Sequence, residues 1–493
     1  MTSTRTRGAA VGLAAAALIP LFAAAPAAAQ EFRFGGATVA QVIDLPTLVL
    51  DSVPVGATTG SGMYRQTADG YVAWCPPGSA YCLYHKSGPV IQTAPVTQDL
   101  ELTSWGFGEG LRFYGQVRFR ATGEDQAWPF AQQKVSAIAV YLEWDKPDFR
   151  ARLGRQFTQN GLGYYNYDGL SVLWRAKPWL DAEIYGGGSP MEAVNAPYTN
   201  TVITDNTSPV APNNNAWLIG TRVRGRWANG ASLSAIFQII DRDDFGALYA
   251  EQMAVNGFFR AGRTSINGDI QYDFATGNFN LAQLKWQVPV TRVAGFFVEG
   301  RHYQPFFQLW SIWAVFSPVA YNEGNLGGYW NSAHGALGLQ VTGGWRNYDN
   351  ADAGVSELRT SGWRVGADAT WHPDALWTVR GGYHYDIGPG AAESDGNVSV
   401  RWDPNASTYA GLFATAFQTA YEYMQGAGTV VGGGVTGGVR LNSWGRLAAD
   451  VGEYRNTYSQ NAPQSNWNQF RASLRFEFDV GPEPGYAGGG VVR

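Results

Sequence analysis

Arginine recurs at every second residue in several stretches of this 493-residue chain. Arg112, Arg118 and Arg120 alternate with Leu111, Phe113, Val117 and Phe119. Arg150 and Arg152, then Arg222, Arg224 and Arg226, then Arg471 and Arg475 repeat the pattern. A guanidinium carries five donors in a rigid fork that fits carboxylates and phosphates. A strand sends successive side chains to opposite faces, so each stretch presents its charges on one face and apolar groups on the other. Asp269, Asp273 and Glu299, with Asp181 and Glu183, supply the opposite sign on other stretches. Opposed charges across a pore set up a transverse field that orders water and sorts polar solutes. The plainer use of the same residues is as ion pairs bracing a wall.

These faces require strands with an apolar medium on one side and water on the other. Phe470, Ala472, Leu474, Phe476, Phe478 and Val480 alternate with Arg471, Ser473, Arg475, Glu477 and Asp479, and the pattern recurs along most of the chain. Composition agrees: 14% aromatic, 15% charged, 62 Gly and 19 Trp suit many strands joined by turns, with rings for interfacial girdles. Arg5, Arg7, an apolar run to Ala25 and Ala27-Ala28-Ala29 read as an export signal over residues 1–29. The expected fold is all-β, a transmembrane antiparallel up-and-down β-barrel of about 18–20 strands over residues 100–480. A charge facing lipid at midplane costs roughly 2–4 kcal/mol, so the charged faces look into the lumen. Twenty candidate strands begin with 100–121 and include 306–318 and 466–480. Residues 30–99, punctuated by Pro46, Pro54, Pro76, Pro77, Pro89 and Pro95, are expected to form a periplasmic extension or a plug-like lumenal piece, and 481–493 a flexible tail. The alternative makes Phe32–Leu45 a wall strand and 46–99 one long outer loop.

Other chemistry is sparse. Cys75 and Cys82, with Pro76, Pro77 and Gly78 to turn the chain between them, are expected to form a disulfide after export. His384 shares a strand face with Asp386, which suits a base oriented by its acid or a polar pair in the wall. No His, Cys, Asp and Glu cluster has metal-ligand spacing, and nothing calls for a cofactor. Asp241 to Asp244 reads as a solvated charge run or a loose Ca²⁺ site. Gly106 to Gly110 and Gly432 to Gly434 lack the Lys-Ser/Thr of a phosphate loop and read as points of sheet curvature. Phe306 to Phe316 is the richest aromatic run, a lipid-facing strand or a stacking surface. A net charge of −5 with no basic tail excludes nucleic acid as a partner class.

Arg152-Leu153-Gly154-Arg155-Gln156, followed by Gly161-Leu162-Gly163 and Tyr167-Asp168-Gly169, resembles outer-membrane barrels of the porin and alginate-export type. The final amphipathic strand resembles the signal read by the barrel assembly machinery, although here it stands thirteen residues before the end of the sequence. The resemblance implies a Gram-negative outer membrane, contact with its lipid, assembly by that machinery, and passive passage of small polar or anionic solutes. The residues themselves leave two other readings: a plugged structural or surface-binding barrel, and a barrel hydrolase built on His384. On closure, Arg112 to Arg120 and Arg471 to Arg475 are expected to adjoin as one basic wall.

Overall fold

The computed structural model describes residues 31–121, 135–189, 216–242, 247–304, 320–349, 360–388, 391–419, 428–458 and 466–482. The expected signal peptide, Phe306 to Phe316, Asp243 and Asp244 and most of the tail lie outside them. Twenty-two strands close one antiparallel up-and-down barrel. Glu31–Pro54 and Val96–Trp105 open the wall, followed by Leu111–Ala121, Val135–Asp145, Phe149–Asn160, Gly163–Lys177, Leu180–Ser189 and Ala216–Arg226. Ser232–Arg242, Ala247–Ala261, Thr264–Asp273, Asn278–Pro289, Ala294–Tyr303, Tyr321–Asn331 and Leu337–Tyr348 continue it. Ser361–Trp371, Trp377–Gly388, Ala391–Asn405, Thr408–Thr419, Gly428–Arg440, Gly445–Tyr458 and Trp467–Val480 complete it. Closure comes from Glu31–Pro54, which pairs with the last strand from Phe34–Val480 to Ile43–Arg471 and with Val96–Trp105 from Glu31–Trp105 to Ala40–Val96. At this seam the Arg33 guanidinium forks onto the Asp479 carboxylate, with Nε 2.7 Å from Oδ1.

Several expectations are corrected. The strand expected over 100–121 is two antiparallel strands, paired from Trp105–Arg112 to Val96–Ala121. Gly106 and Gly110 turn the chain between them at φ of 90° and 74°, a region that favours glycine, so Gly106 to Gly110 is a hairpin turn and not a point of curvature. Missing this turn reversed the direction of everything before it. Residues 30–99 are therefore not a unit apart from the barrel: their first part and their end are wall strands, as the alternative had it for Phe32–Leu45. The barrel accordingly has 22 strands, not 18–20. Tyr321–Asn331 is a wall strand that was not among those expected.

The two ends of the barrel differ. One end carries the short turns at 106–110, 146–148, 178–179, 227–231 and 406–407, together with Glu31 and Val480. The other carries the longer connections, including that from Pro54 to Val96. In outer-membrane barrels short turns face the periplasm and long loops the exterior. Ten exposed tryptophans gather at the short-turn end: Trp144, Trp174, Trp179, Trp227, Trp286, Trp330, Trp371, Trp377, Trp402 and Trp444. Trp217, Trp345 and Trp363 mark a sparser ring toward the other end, and exposed Leu153, Leu170, Ile184, Leu284, Leu326, Val341, Leu412 and Leu474 fill the belt between. Amphipathic rings at both interfaces with aliphatic groups between are the outer surface that a bilayer requires.

Beyond the wall, the end of the first strand continues as a hairpin with Tyr81–Thr93, from Leu48–Ser87 to Pro54–Tyr81. Cys75 and Cys82 form the expected disulfide and pack with Ala73, Val53, Val55 and Tyr84 in a small core. This hairpin stands at the long-connection end, opposite to the periplasmic position expected of it. Lys86 bonds to Asp51 there and holds that carboxyl below its ordinary range.

Candidate functional site

The lumenal face carries two charged clusters. The first is built on Leu111–Ala121, Val135–Asp145, Phe149–Asn160, Leu180–Ser189 and Ala216–Arg226. Glu143 is 7% exposed and accepts from Arg152 Nε at 2.7 Å, with Arg112 at 3.6 Å and Arg150 at 4.0 Å. Glu183 takes Arg222, and Arg150 again at 3.9 Å. Asp181 takes Arg224 at 3.0 Å and Arg226 at 2.9 Å. Six arginines thus surround three carboxylates, and the cluster is basic on balance. Arg112, Arg150 and Asp181 are each the second residue of their strand and Arg226 is the last, so the cluster sits at the short-turn mouth. Alternation places it: cross-strand pairs Arg112–Glu143, Glu143–Arg152 and Glu183–Arg222 each put both members on one face.

The second cluster lies on the far wall, since Phe149–Asn160 and Leu337–Tyr348 are ten strands apart one way and twelve the other. Glu323, its side chain fully buried, accepts from Arg346 Nε at 2.8 Å and forms an ion pair with Arg364 at 2.7 Å. Arg346 also reaches Asp386 at 2.9 Å. Asp386 is therefore Arg346's partner and does not orient His384. That imidazole lies between Asp395, 3.2 Å from Nδ1, and Asp368, 3.3 Å from Nε2. With Glu299, which accepts from Asn325 at 3.2 Å, and Glu393, carboxylates outnumber Lys285, Arg301, Arg346 and Arg364 on this wall.

Between the walls a tongue folds inward. Asn160, Gly161, Leu162 and Gly163 join two strands, and Gly161 O accepts from Gln271 Nε2 at 2.7 Å. Four strands separate these partners along the wall, so the contact crosses the lumen. A side chain at Gly161 would meet Asn256 at 2.5 Å. Beneath the tongue Tyr165, Tyr167, Tyr185, Leu218, Ile240 and Ala250 pack with Leu162, and Tyr185 bonds to Gln238 at 2.9 Å. The motif that carries the family resemblance makes this bend. Gly154 has φ of +128°, and a Cβ there would lie 2.3 Å from Val140 O; at Gly169 it would lie 2.0 Å from Gly186 O.

The remaining sequence-derived residues have other places. Arg118 forks onto Asp99 at 2.6 and 2.8 Å, and Arg120 donates to Ser136 at 2.9 Å. Arg471 and Arg475 do not adjoin them: Glu31–Pro54 and Val96–Trp105 intervene, so the basic seam is not formed. Arg471 donates to Gln469 at 2.6 Å, and Arg475 pairs with Glu477. Asp273 is buried and caps its turn, accepting from the amides of Ala275 and Thr276 at 2.8 and 3.2 Å, which is a structural role. Asp269 and Glu299 face the lumen opposite Gln283 and Lys285. Glu143 and Glu323 were missed. Glu143 was legible in the alternation of Tyr141, Glu143 and Asp145 with Val140, Leu142 and Trp144.

Neither a protein-family model nor a curated protein matches the sequence. Among solved structures the chain is similar to the outer membrane protein OprD from Pseudomonas aeruginosa, at 10% identity over 95% of this chain and 98% of that one, with a TM-score of 0.38. OccAB4 of Acinetobacter baumannii gives 10%, 93%, 100% and 0.36. The copper transporter OprC gives 10%, 92%, 80% and 0.46. Such loose likenesses assign neither a substrate nor a family. The chain's own closed wall, apolar outside between two aromatic rings and charged inside, makes it an outer-membrane β-barrel.

Proposed function

We propose that the barrel is a porin-like channel that passes small polar solutes passively and favours anions at its short-turn mouth. The observation that carries this reading is the excess of six arginines over three carboxylates within the cluster at that mouth. A basic cluster at a mouth raises the local concentration of anions there. Barrels of this size enclose a lumen far wider than side chains fill, so an aqueous path needs only that no segment seals it. Sealing by residues 30–99 has less support, because their ends supply the wall strands Glu31–Pro54 and Val96–Trp105. A hydrolase built on a His384–Asp386 pair has less still, because Asp386 is held by Arg346.

Planar-bilayer recording tests the reading. Purified protein should conduct, and replacing Arg152 and Arg222 by Gln should move the reversal potential in a salt gradient toward cation preference. Absence of current, or an unmoved potential, refutes it.

A further inference from the structure

We infer that the recess at the 406–407 turn is a binding site for a small phosphate monoester, with Arg440 and Arg446 gripping the phosphate. Trp467–Val480, Glu31–Pro54 and Val96–Trp105 separate it from the first charged cluster. The inference goes beyond the channel reading and does not need the barrel to conduct.

Charge is out of balance in this recess. Arg440 and Arg446 stand directly opposite each other on neighbouring strands. Like charges so placed destabilise a sheet, and directly opposed Cβ atoms lie only about 5 Å apart. Arg446 is also opposite Glu477, on the lumenal face of the last strand. Both arginines line a recess of about 240 Å³, together with Arg401, Asp403 and Tyr409. Asp403 is taken by Arg401, which donates from Nε at 2.9 Å and from Nη2 at 2.7 Å. Glu477 is shared: it pairs with Arg475, and Arg446 comes only to 4.0 Å. Among the described residues Arg440 has no ion pair and no side-chain hydrogen bond. Four arginines thus meet two carboxylates, and the surplus of two charges falls on adjacent side chains.

The backbone shapes the recess. Tyr409 lies against the wall at Gly438, where a Cβ would stand 2.4 Å from Tyr409 Cε1. The Arg401 guanidinium stacks over that ring at 4.1 Å and holds it in place. The Arg440 amide donates to Ser407 O at 2.6 Å and ties the strand end to the turn. Asn405, Ser407 and Thr408 border the recess with uncharged groups able to bond an alcohol.

A phosphate monoester carries about −1.5 to −2 charge at pH 7 and three acceptor oxygens. It cancels the surplus and offers oxygens to both guanidinium forks. A carboxylate brings one charge and two oxygens, and leaves one arginine uncompensated. The alcohol part of the ester then rests on Tyr409 and the turn.

Glycerol 1-phosphate and glycerate join a three-carbon polyol to the two kinds of anion. Ligand-observed NMR titration of the detergent-purified barrel gives each dissociation constant and requires no current. Glycerol 1-phosphate should bind about fivefold more tightly than glycerate, the scale of one further exposed ion pair. Arg440→Gln should erase that advantage. Arg260→Gln removes the same charge from the same end of the barrel, ten strands away, and should leave both constants unchanged. Equal affinity for the two ligands, indifference to Arg440→Gln, or an equal loss on Arg260→Gln overturns the site, the last by showing only general attraction to a basic mouth. None of these results bears on conduction, which the bilayer recording decides separately.

Discussion

Replacing Glu323 by Ala should destabilise the barrel by about 3 kcal/mol, and the figure follows from the geometry. The Glu323 side chain is fully buried, accepts a charged hydrogen bond from Arg346 at 2.8 Å and pairs with Arg364 at 2.7 Å. Removing one member of a buried ion pair leaves its partner uncompensated and costs about 3–5 kcal/mol. Two features hold the cost to the lower end. The Arg364 side chain is 36% exposed and can rehydrate. Arg346, 13% exposed, keeps Asp386 at 2.9 Å. Glu323→Gln should cost roughly half as much, because its carbonyl still accepts one bond. The assay is urea unfolding of the barrel refolded into lipid vesicles, followed by tryptophan fluorescence. The midpoint should fall with the slope unchanged. A loss under about 1 kcal/mol for Glu323→Ala would mean that the arginines are solvated as well without the carboxylate as with it, and that the far-wall cluster is not a brace.

Two further outcomes follow from separate parts of the molecule. Gln271→Ala removes the bond to the tongue at Gly161, worth about 1 kcal/mol, and should raise the fluctuation of the open-channel current; an unchanged current trace would show that the tongue does not border the conducting path. Cys75→Ser opens an eight-residue ring whose closure contributes about 2.5 kcal/mol on the chain-entropy account, and should sensitise residues 55–80 to protease without altering conductance; easier unfolding of the whole barrel would refute the independence of the hairpin.

Strand faces were legible because lipid and water impose opposite demands at every second residue. The arginines of 222–226 and the apolar face of 470–480 stand where alternation puts them. Two elements were illegible for physical reasons. Tyr321–Asn331 is rich in Gly and Asn, so it lacks contrast between its faces, and it holds its place through pairing with both neighbours. The turn at Gly106 to Gly110 interrupts no alternation in composition; only the backbone sign at Gly106 and Gly110 reveals it. The charged clusters were legible as an inventory of faces but not as partnerships. Which carboxylate meets which guanidinium depends on register between strands, and register at the seam depends on residues more than 440 positions apart in sequence, such as Arg33 and Asp479. The inward tongue was visible only as a glycine-rich motif, whose effect depends on backbone from neighbouring strands pressing close at Gly154 and Gly169.

The pairing of Glu31–Pro54 with Trp467–Val480 has a kinetic consequence. Until both strands are present the sheet has two open edges, and unpaired edge amides cannot be left in hydrocarbon. The wall therefore cannot mature strand by strand into the bilayer core. A long-range contact of this kind is the slowest to form, because loop closure must precede any gain from it. Until that contact forms, the nascent sheet is a species with exposed apolar surface in water, and its lifetime sets how long it needs protection from aggregation.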